Sequence, residues 1–321
     1  MALEKVVVID TGYDSYEYEK SLLTEAGYEF AVFDGEREDI QGKMAFAKGA
    51  TAVFARHTRM DEHFFRSLPG LKALVRYGVG YDNIDLDAAS RFGVKVANVQ
   101  GYANHAVSDH ALALMYGCAR CLALGESVLQ EKFGVPPRPC LPDFHLKTLG
   151  IIGLGRIGGT LSKKATALFR SVLACDPYIP DSRFIECGAL KTDLELLLKT
   201  SDVISLHCNL TVETTGLIGR SAFSLMEKRP ILINTARGPV VDQENLLEAL
   251  RNDTIHSAGL DVYSEEPPGA GQQDLLKHPH VISTGHYAWY SESSILELQR
   301  RAAHNMLAML SGEIPQDCLN P

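Results

Sequence analysis

Short apolar runs rich in β-branched residues alternate with longer segments of mixed polarity through the first hundred residues. The runs lie at residues 6–10, 31–33, 52–55, 73–75 and 94–97. Each run has the length of a buried strand, and each intervening segment is long enough for a helix. This alternation is typical of a parallel sheet with helical connections, so it predicts an α/β domain at the start of the chain.

A helical pattern begins just after residue 100. Apolar residues recur there at intervals of three and four, which predicts one long amphipathic helix. These residues are Val107, Ala111, Leu114, Met115, Cys118 and Leu122. A polar stretch with prolines follows at 136–142, and further apolar runs lie at 150–152, 172–176, 203–208, 231–234, 257–262 and 281–284. Six such runs match a doubly wound dinucleotide-binding fold.

The last predicted element is a helix over residues 291–310. Gly312 and Pro315 end it, and no apolar run follows that could add a strand. Such a helix needs another element to pack on, and we expect that element in the first domain. The pattern as a whole predicts two doubly wound parallel-sheet α/β domains.

Composition agrees with two ordinary globular cores. The chain has 321 residues, of which 45% are hydrophobic and 22% charged. Its formal net charge is −9, the wrong sign for a surface that follows a phosphate backbone, so we expect no direct nucleic-acid partner. The first apolar run is too short for a signal peptide or a membrane span, which predicts a cytoplasmic protein without a membrane partner.

Cysteine spacing predicts reduced thiols and no metal site. The seven cysteines, at 118, 121, 140, 175, 187, 208 and 318, form no compact framework. Cys118 and Cys121 make a C-x-x-C, but no second pair or histidine cluster completes a zinc site. Because the flanking pattern is helical, we interpret this pair as part of a helix that faces the core.

A glycine fingerprint follows the strand predicted at 150–152. Gly153, Gly155 and Gly158 form a G-x-G-x-x-G that opens a helical run, the context that gives this motif its meaning. The first glycine would make a tight turn, the second would admit a pyrophosphate, and the third would allow close helix–sheet packing. The free N–H groups at the helix start would then face the phosphates.

Asp176 ends the next predicted strand, 18 residues beyond Gly158. A carboxylate there would accept hydrogen bonds from the adenosine ribose and repel a 2′-phosphate, which favours NAD over NADP. The alternative is a glycine-rich turn with an incidental aspartate at a strand end. The coincidence of strand, turn, helix and acid favours the cofactor site.

Polar residues follow three later apolar runs, and parallel strands bring such positions to one edge of a sheet. Arg237, Glu266 and His286 lie there. Reduction of a 2-oxo acid needs a cation that polarises the carbonyl and an acid that delivers a proton. Arg237 suits the first role and His286 the second, while Glu266 would hold the imidazole and favour its protonated form. The adjacent Glu265 is an alternative partner.

These motifs resemble those of the D-isomer-specific 2-hydroxyacid dehydrogenase family along nearly the whole chain. The shared features are residues 75–85, 153–158, 234–238 and 259–267 and the histidine at 286. The resemblance implies an NAD-dependent oxidoreductase that interconverts a 2-oxo acid and its D-2-hydroxy acid. It also implies Arg237, Glu266 and His286 as the catalytic triad, with Glu266 chosen because it precedes a proline, and Arg76 with the backbone of Val79 and Gly80 as a carboxylate cradle.

The resemblance also implies a domain arrangement. A Rossmann cofactor domain over residues 101–289 would be inserted into a flavodoxin-like substrate domain made of residues 1–100 and 290–321, with a cleft between them that closes on the substrate. The family is typically dimeric through the helix after Gly101, so we expect a homodimer. The cofactor-binding residues expected on this basis are Gly153, Gly155, Arg156, Ile157, Gly158, Asp176, His207, Thr235, Ala236 and Asp261.

Within the family, residues 56–58 and 288–292 look most like the C-terminal binding protein branch. That branch includes transcriptional corepressors, which gives an alternative function as an NAD-sensing scaffold that acts through partners. The absence of an extra domain or long tail in this sequence favours the enzyme.

Several roles stay open on sequence grounds. His57 borders the substrate or faces solvent, and Trp289 borders the substrate or packs a domain interface. Asp261 either bonds the nicotinamide amide or holds a turn. The family usually has proline where this chain has Gly285 and Gln100. Glycine at 285 adds backbone freedom next to His286, so the sequence leaves the position of the His286 side chain open.

Overall fold

The computed structural model describes residues 3–124 and 143–321, so Cys140 and the proline-bearing stretch at 136–142 lie outside the described residues. The chain forms two compact units. The first consists of Met1–Tyr102 and Ser291–Pro321, and the second of Ala103–Tyr290.

The first unit is built on a five-stranded parallel sheet. Its order, β2-β1-β3-β4-β5, is that of flavodoxin-like folds, which confirms the predicted fold class for this unit. The strands are β1 (Lys5–Val8), β2 (Glu29–Val32), β3 (Ala52–Ala55), β4 (Ala73–Arg76) and β5 (Lys95–Ala97). The helices between them are α1 (Glu17–Glu25), α2 (Ile40–Ala47), α3 (Glu62–Ser67) and α4 (Leu86–Arg91).

The final helix packs on the first unit, as the sequence requires. It runs over Glu292–Leu310 and is numbered α12; the Ser291 side chain caps its start. Gln299 on this helix donates from Nε2 to Oε1 of Glu19 on α1 at 3.1 Å. The hydroxyl of Tyr77, directly after β4, donates to the same carboxylate at 2.9 Å. This buried network joins the last helix to the first unit.

The second unit contains a seven-stranded parallel sheet in the order β12-β11-β10-β9-β6-β7-β8. The strands are β6 (Thr148–Ile152), β7 (Ser171–Cys175), β8 (Leu190–Lys191), β9 (Val203–Leu206), β10 (Ile231–Asn234), β11 (Ser257–Leu260) and β12 (Val281–Ser283). The sequence pattern missed only β8. It is an exposed edge strand of two residues, too short to carry an alternating pattern.

Helices cover this sheet, and apolar clusters fill the space between the layers. They are α5 (Asn104–Ala119), α6 (Arg156–Ala165), α7 (Asp181–Cys187), α8 (Leu194–Thr200), α9 (Arg220–Ser224), α10 (Gln243–Arg251) and α11 (Gln273–Leu276). Helix α5 ends three residues before the predicted Leu122, because Cys121 adopts a left-handed φ of 53° that a helix cannot continue through.

The C-x-x-C belongs to this core. Cys118 is a buried free thiol on α5, and burial raises its pKa to about 12, so the group is an inert, uncharged thiol at neutral pH. In the described ranges, no group of three His, Cys, Asp or Glu side chains is placed to hold a metal ion. Nor does any helix there combine the length and apolar character needed to cross a bilayer.

Candidate active site

The glycine turn after β6 leaves no room for side chains at two of its three glycines. Gly153 has a φ of +90°, and a Cβ there would lie 2.6 Å from the backbone nitrogen of Cys208. A Cβ on Gly158 would lie 2.0 Å from the carbonyl oxygen of Gly153. A Cβ on Gly155 would meet nothing within 4 Å, so open space adjoins this residue. The turn thus has the tight bend, the close packing and the approach space that a dinucleotide requires.

Helix α6 begins directly after this open position. Gly155 is its N-cap and offers no side chain to the first N–H groups. Arg156 is exposed and Ile157 is partly exposed in the first turn. Arg183 donates from Nη2 to the carbonyl oxygen of Gly155 at 3.2 Å, which holds the turn from behind. The N–H groups of the first turn are therefore positioned to bind an anion.

Asp176 follows β7 at the same edge of the sheet. Its Oδ2 accepts the N–H of Leu154 in the glycine turn at 2.9 Å, and its Oδ1 accepts the N–H of Tyr178 at 3.0 Å. A carboxylate has about four acceptor positions, so these two bonds leave capacity for ribose hydroxyls. The same two bonds fix the carboxylate beside the turn.

Two buried polar atoms beside these turns lack hydrogen-bond partners among the described residues: Nδ1 of His207 and Oγ1 of Thr235. His207 uses its Nε2 in a 2.8 Å contact with the hydroxyl of Ser205. Burial lowers the pKa of His207 to about 4, so its ring is neutral at neutral pH. Buried polar atoms are normally satisfied, so these orphans fit a site completed by a polar ligand such as a dinucleotide.

The turn after β10 shapes the position of Arg237. Asn234 accepts the N–H of Ala236 at 3.0 Å and donates from Nδ2 to the carbonyl oxygen of Arg237 at 2.9 Å. Arg237 donates from Nη1 to the carbonyl oxygen of Ala236 at 2.8 Å. A Cβ on Gly238 would lie 1.9 Å from the carbonyl carbon of Tyr263, so this turn lies directly against the loop that leads to Glu266.

Glu266 and His286 lie in direct contact at this edge of the sheet. Oε2 of Glu266 lies 2.6 Å from Nδ1 of His286, and Oε1 accepts the N–H of Tyr263 at 3.0 Å. Burial raises the pKa of Glu266, but the hydrogen bond and charge of His286, with Arg237 adding to them, outweigh burial and hold that pKa below its ordinary value. The glutamate is thus ionised at neutral pH. Of the two adjacent glutamates, Glu266 is the one bonded to the histidine.

Asp261 holds the loop around His286 through three hydrogen bonds. Its buried carboxylate accepts the hydroxyl of Thr284 at 2.6 Å and the N–H groups of Tyr287 and Ala288 at 3.1 and 3.0 Å. These bonds show that Asp261 holds a turn, and its contact with the nicotinamide amide stays a prediction. His110 on α5, which the sequence left without a role, bonds the same Thr284 hydroxyl at 2.9 Å. Only the packing of α5 on the sheet brings it there.

The backbone at His286 has an unusual conformation. Its φ is 56°, a left-handed value that costs roughly 1–3 kcal/mol for most residues and persists only where neighbours impose it. Trp289 donates from Nε1 to the carbonyl oxygen of His286 at 3.0 Å, which helps to impose it. The preceding Gly285 has ample space, because the nearest atom to an added Cβ is Cδ1 of Tyr287 at 3.9 Å. Glycine at 285 is therefore not required by packing.

In the first unit, the expected carboxylate-binding residues follow β4. A Cβ on Gly78, whose φ is +125°, would collide with the guanidinium of Arg76, so the arginine lies along this glycine turn. Asn98 donates from Nδ2 to the carbonyl oxygen of Val79 at 2.6 Å and thereby fixes the backbone that leads to Gly80. His57 follows the neighbouring strand β3, and its backbone N–H donates to Asp10 at 2.8 Å.

Each sheet therefore brings its own set of predicted residues to its carboxyl edge. The edge of the second unit carries the glycine turn, the unsatisfied polar atoms and the Glu266–His286 pair. This combination of a dinucleotide turn with a carboxylate-bound imidazole and a nearby arginine defines a nicotinamide-dependent oxidoreductase.

Comparison with known proteins identifies the family. The family described as "D-isomer specific 2-hydroxyacid dehydrogenase, NAD binding domain" matches residues 112–288, more than half of the chain. The chain is 36% identical to a glyoxylate reductase of Korarchaeum cryptofilum over 265 residues, 81% of this chain and 80% of that one. It therefore belongs to the D-isomer-specific 2-hydroxyacid dehydrogenase family.

Two further matches agree with this assignment. The chain is 35% identical to a D-3-phosphoglycerate dehydrogenase of Archaeoglobus fulgidus over 84% of this chain, although it spans only 51% of that relative's length. A D-lactate dehydrogenase of Aquifex aeolicus, solved with NAD and lactic acid, superposes with a TM-score of 0.89 at 26% identity and covers 99% of both chains. The predicted enzyme class and NAD cofactor are confirmed, and the corepressor-like alternative is not favoured.

Proposed function

We propose that this chain reduces a 2-oxo acid to the D-2-hydroxy acid with NADH and catalyses the reverse oxidation. The 2.6 Å contact between His286 Nδ1 and Glu266 Oε2, at the sheet edge that carries the glycine turn, is the observation that supports it most. A histidine bound through Nδ1 to a carboxylate can move a proton at its other nitrogen. Proton transfer beside a dinucleotide site is what reduction of a carbonyl requires.

In this proposal His286 donates the proton from Nε2 to the carbonyl oxygen, because Nδ1 is engaged by Glu266. The ionised Glu266 favours the imidazolium before the transfer and fixes the ring. Arg237, whose charge acts on Glu266, polarises the carbonyl and stabilises the negative charge that develops on oxygen. In the oxidative direction, neutral His286 takes the proton from the hydroxyl.

The dinucleotide, when bound, supplies or accepts the hydride at the substrate carbon. We assign its binding to the second unit. The glycine turn (Gly153, Gly155 and Gly158) and the helix start (Arg156 and Ile157) bind the pyrophosphate, Asp176 binds the adenosine ribose, and the turns after β9 and β10 (His207, Thr235 and Ala236) line the remainder. Asp261 serves this site by holding the loop that carries His286.

Substrate binding we assign to the first unit, which includes the final helix, and to Trp289 of the second unit. Arg76 and the backbone N–H groups at Val79 and Gly80 bind the substrate carboxylate. The Arg76 guanidinium lies against Gly78, in the same segment as this backbone. His57 and Trp289 border the substrate in the same proposal. A guanidinium suits this role because its donors match the two carboxylate oxygens.

Three broader features belong to the same proposal. We propose, on the basis of residues 56–58 and 288–292, that the chain belongs to the C-terminal binding protein-like branch of the family. We also expect a homodimer formed through α5 and a cytoplasmic location. Gel filtration with light scattering tests the dimer, and a monomer at micromolar concentration would contradict it.

The test of the activity is a panel of 2-oxo acids with NADH, followed by the loss of reduced-nicotinamide absorbance. Glyoxylate, hydroxypyruvate, pyruvate and longer acids form the panel, and chiral chromatography identifies the product. We expect NADH oxidation that depends on the acid and yields the D-isomer. A folded protein that binds NADH but reduces none of these acids, or that yields the L-isomer, would contradict the proposal.

A further inference from the structure

The first unit carries a second arginine beside the one assigned to the substrate carboxylate. Strands β3 and β4 are paired neighbours, with Ala55 opposite Arg76, and Tyr77 donates its N–H to the carbonyl oxygen of Ala55 at 2.8 Å. Arg56 directly follows Ala55, so it leaves the sheet at the same edge, one strand away from Arg76. In sheets of this type, ligands bind at the carboxyl ends of the strands.

The backbone of Arg56 is fixed in place. Oδ2 of Asp10 accepts three successive N–H groups, from Arg56, His57 and Thr58, at 2.7, 2.8 and 2.8 Å. The Thr58 hydroxyl donates to Oδ1 of the same carboxylate at 2.7 Å. Four bonds to one buried group fix the backbone of this segment, and with it the point from which the Arg56 side chain extends.

The charge of Asp10 is already compensated. Lys43 donates from Nζ to Oδ1 at 2.8 Å, and both side chains are almost fully buried. Burial raises the pKa of Asp10, but the bonds from Lys43, Thr58 and Arg56 outweigh it and hold that pKa well below its ordinary value. The carboxylate and the ammonium therefore form a structural ion pair beneath the segment, and Asp10 is ionised throughout the working pH range.

The Arg56 guanidinium lies over an aromatic platform. Its Cζ is 5.6 Å from the centre of the Tyr13 ring, and that ring packs edge-on against Tyr77 at 5.2 Å. Burial raises the pKa of Tyr13, and the positive charges of Arg56 and Arg76 both oppose this rise. Two guanidinium groups thus lie within electrostatic reach of one phenol ring.

A simple 2-oxo acid has one carboxylate, which the proposed function gives to Arg76. We propose that Arg56, supported by Tyr13 and Asp10, is a specificity-determining residue that binds a second acidic group, so that the preferred substrates are 2-oxo acids with a carboxylate or phosphate on the side chain. The inference rests on the proposed function. The chain carries a net charge of −9, so a dianionic substrate needs a local positive site of this kind.

The test compares acids that share a carbon skeleton but differ in charge. 2-Oxoglutarate is paired with 2-oxopentanoate, oxaloacetate with 2-oxobutyrate, and 3-phosphohydroxypyruvate with hydroxypyruvate. For the acid group that the site prefers, we expect kcat/KM to be about 10-fold or more higher than for the partner without that group. Comparison of the phosphate pair with the two carboxylate pairs shows which acid group the site binds. The advantage should shrink as salt is raised, because screening weakens charge–charge attraction.

Arg56→Met keeps the length of the side chain and removes its charge. It should lower kcat/KM for the dianionic acids by about 10- to 100-fold, the range for a lost charge-assisted hydrogen bond, and affect the matched monoacids much less. Arg56→Lys should recover part of the loss. The matched control is Arg59→Met, three residues along, because that side chain is 85% exposed and lies 3.9 Å from Asp61; it should leave the ratio unchanged.

The two proposals fail in different ways. Reduction of the monoacids tests the proposed function, whereas the ratio within each pair tests the role of Arg56. If monoacids are reduced and the dianionic partners are no better, or if Arg56→Met lowers both members of each pair equally, Arg56 is not a specificity residue. If no acid is reduced, the proposed function itself is wrong and the inference falls with it.

Discussion

Thr284, two residues before His286, donates from its hydroxyl to the buried carboxylate of Asp261 at 2.6 Å. The same carboxylate accepts the N–H groups of Tyr287 and Ala288 directly after the histidine. One acceptor group therefore holds both sides of the residue that we propose as the proton donor. The left-handed backbone of His286 is kept in place by this arrangement.

Asp261→Asn should therefore affect the loop more than the cofactor. An amide cannot accept all three donors, and an unsatisfied buried group costs about 1–3 kcal/mol, so urea unfolding should show a loss of that size. We expect kcat to fall while the Kd of NADH changes little. Asp274→Asn is the control, because Asp274 is an exposed partner of Arg251. A variant with normal kcat and weakened NADH binding would instead support a nicotinamide contact for Asp261.

Asp176 should set the preference for NADH over NADPH. Its charge would oppose a 2′-phosphate at a few ångströms by about 1–4 kcal/mol at effective dielectric constants of 80 to 20. Asp176→Ala should narrow the preference, measured as the ratio of kcat/KM values. Because Asp176 also accepts the Leu154 N–H, Asp176→Asn separates loss of charge from loss of that bond. An intact enzyme that uses NADPH as well as NADH would refute the assignment.

His286→Gln should remove the proton donor and keep the fold. Positioned proton transfer typically contributes about 10²- to 10⁴-fold, so kcat should fall by that factor. NADH affinity, measured by nicotinamide fluorescence, should stay close to normal. His286→Asn is a second variant, because asparagine tolerates the left-handed φ observed here. Near-normal turnover in either variant would show that another group supplies the proton.

Glu266→Gln should change the pH dependence of reduction. In the intact protein the pKa of Glu266 is lowered, so its charge is present above that pKa and is lost as the pH falls through it. Glutamine carries no charge at any pH, so the acid-side change in kcat/KM that follows the ionisation of Glu266 should be absent from the variant. The measurement is kcat/KM against pH for both proteins. Superimposable profiles would mean that Glu266 does not act on the proton donor.

At acid pH, the free energy of unfolding should also depend on the contact between Glu266 and His286. The lowered pKa of Glu266 means that its contribution is complete above the ordinary glutamate value and is lost as the pH falls through the folded-state value. The intact protein should therefore lose more of its free energy of unfolding in that acid range than Glu266→Gln. An equal loss in both proteins would show that the pair does not contribute to folding.

Trp289 offers a test between substrate contact and support. Its N–H bonds the carbonyl oxygen of His286, and its ring packs edge-on against Tyr290 at 5.4 Å. Trp289→Phe keeps an aromatic ring but removes the donor, so a supporting role predicts a similar fall in kcat for every acid. If the ring borders the substrate, Trp289→Ala should instead lower kcat/KM more for acids with large apolar side chains than for glyoxylate, because each buried CH₂ contributes about 0.8 kcal/mol.

The sequence alone determined the architecture of both units. Alternation of apolar runs with helical segments predicted the strands of both sheets except β8, because burial of a strand between two helical layers requires a continuous apolar run. The runs were predicted one or two residues too long at Asp10, Asp176 and Thr284. At each of these points the chain leaves the sheet and begins the polar loop that carries the candidate chemistry.

The spacing of Gly153, Gly155 and Gly158 was also sufficient to predict the turn after β6. The constraint at Gly158 is local, because an added Cβ would meet the carbonyl oxygen of Gly153, whereas the constraint at Gly153 comes from the chain after β9. Spacing was also sufficient for Asp176, whose distance along the chain follows from one strand–helix–strand unit.

Only the tertiary structure decided which groups meet across distant parts of the chain. Asp10 binds the backbone of Arg56, 46 residues away, and Asp261 binds the backbone of Tyr287, 26 residues away. His110 likewise meets Thr284 only through the packing of α5. A periodic pattern records whether a position is buried, but the partner of a polar side chain depends on which strand ends become neighbours and in what register. That register is set by long-range packing, so the sequence could place these residues at an edge without pairing them.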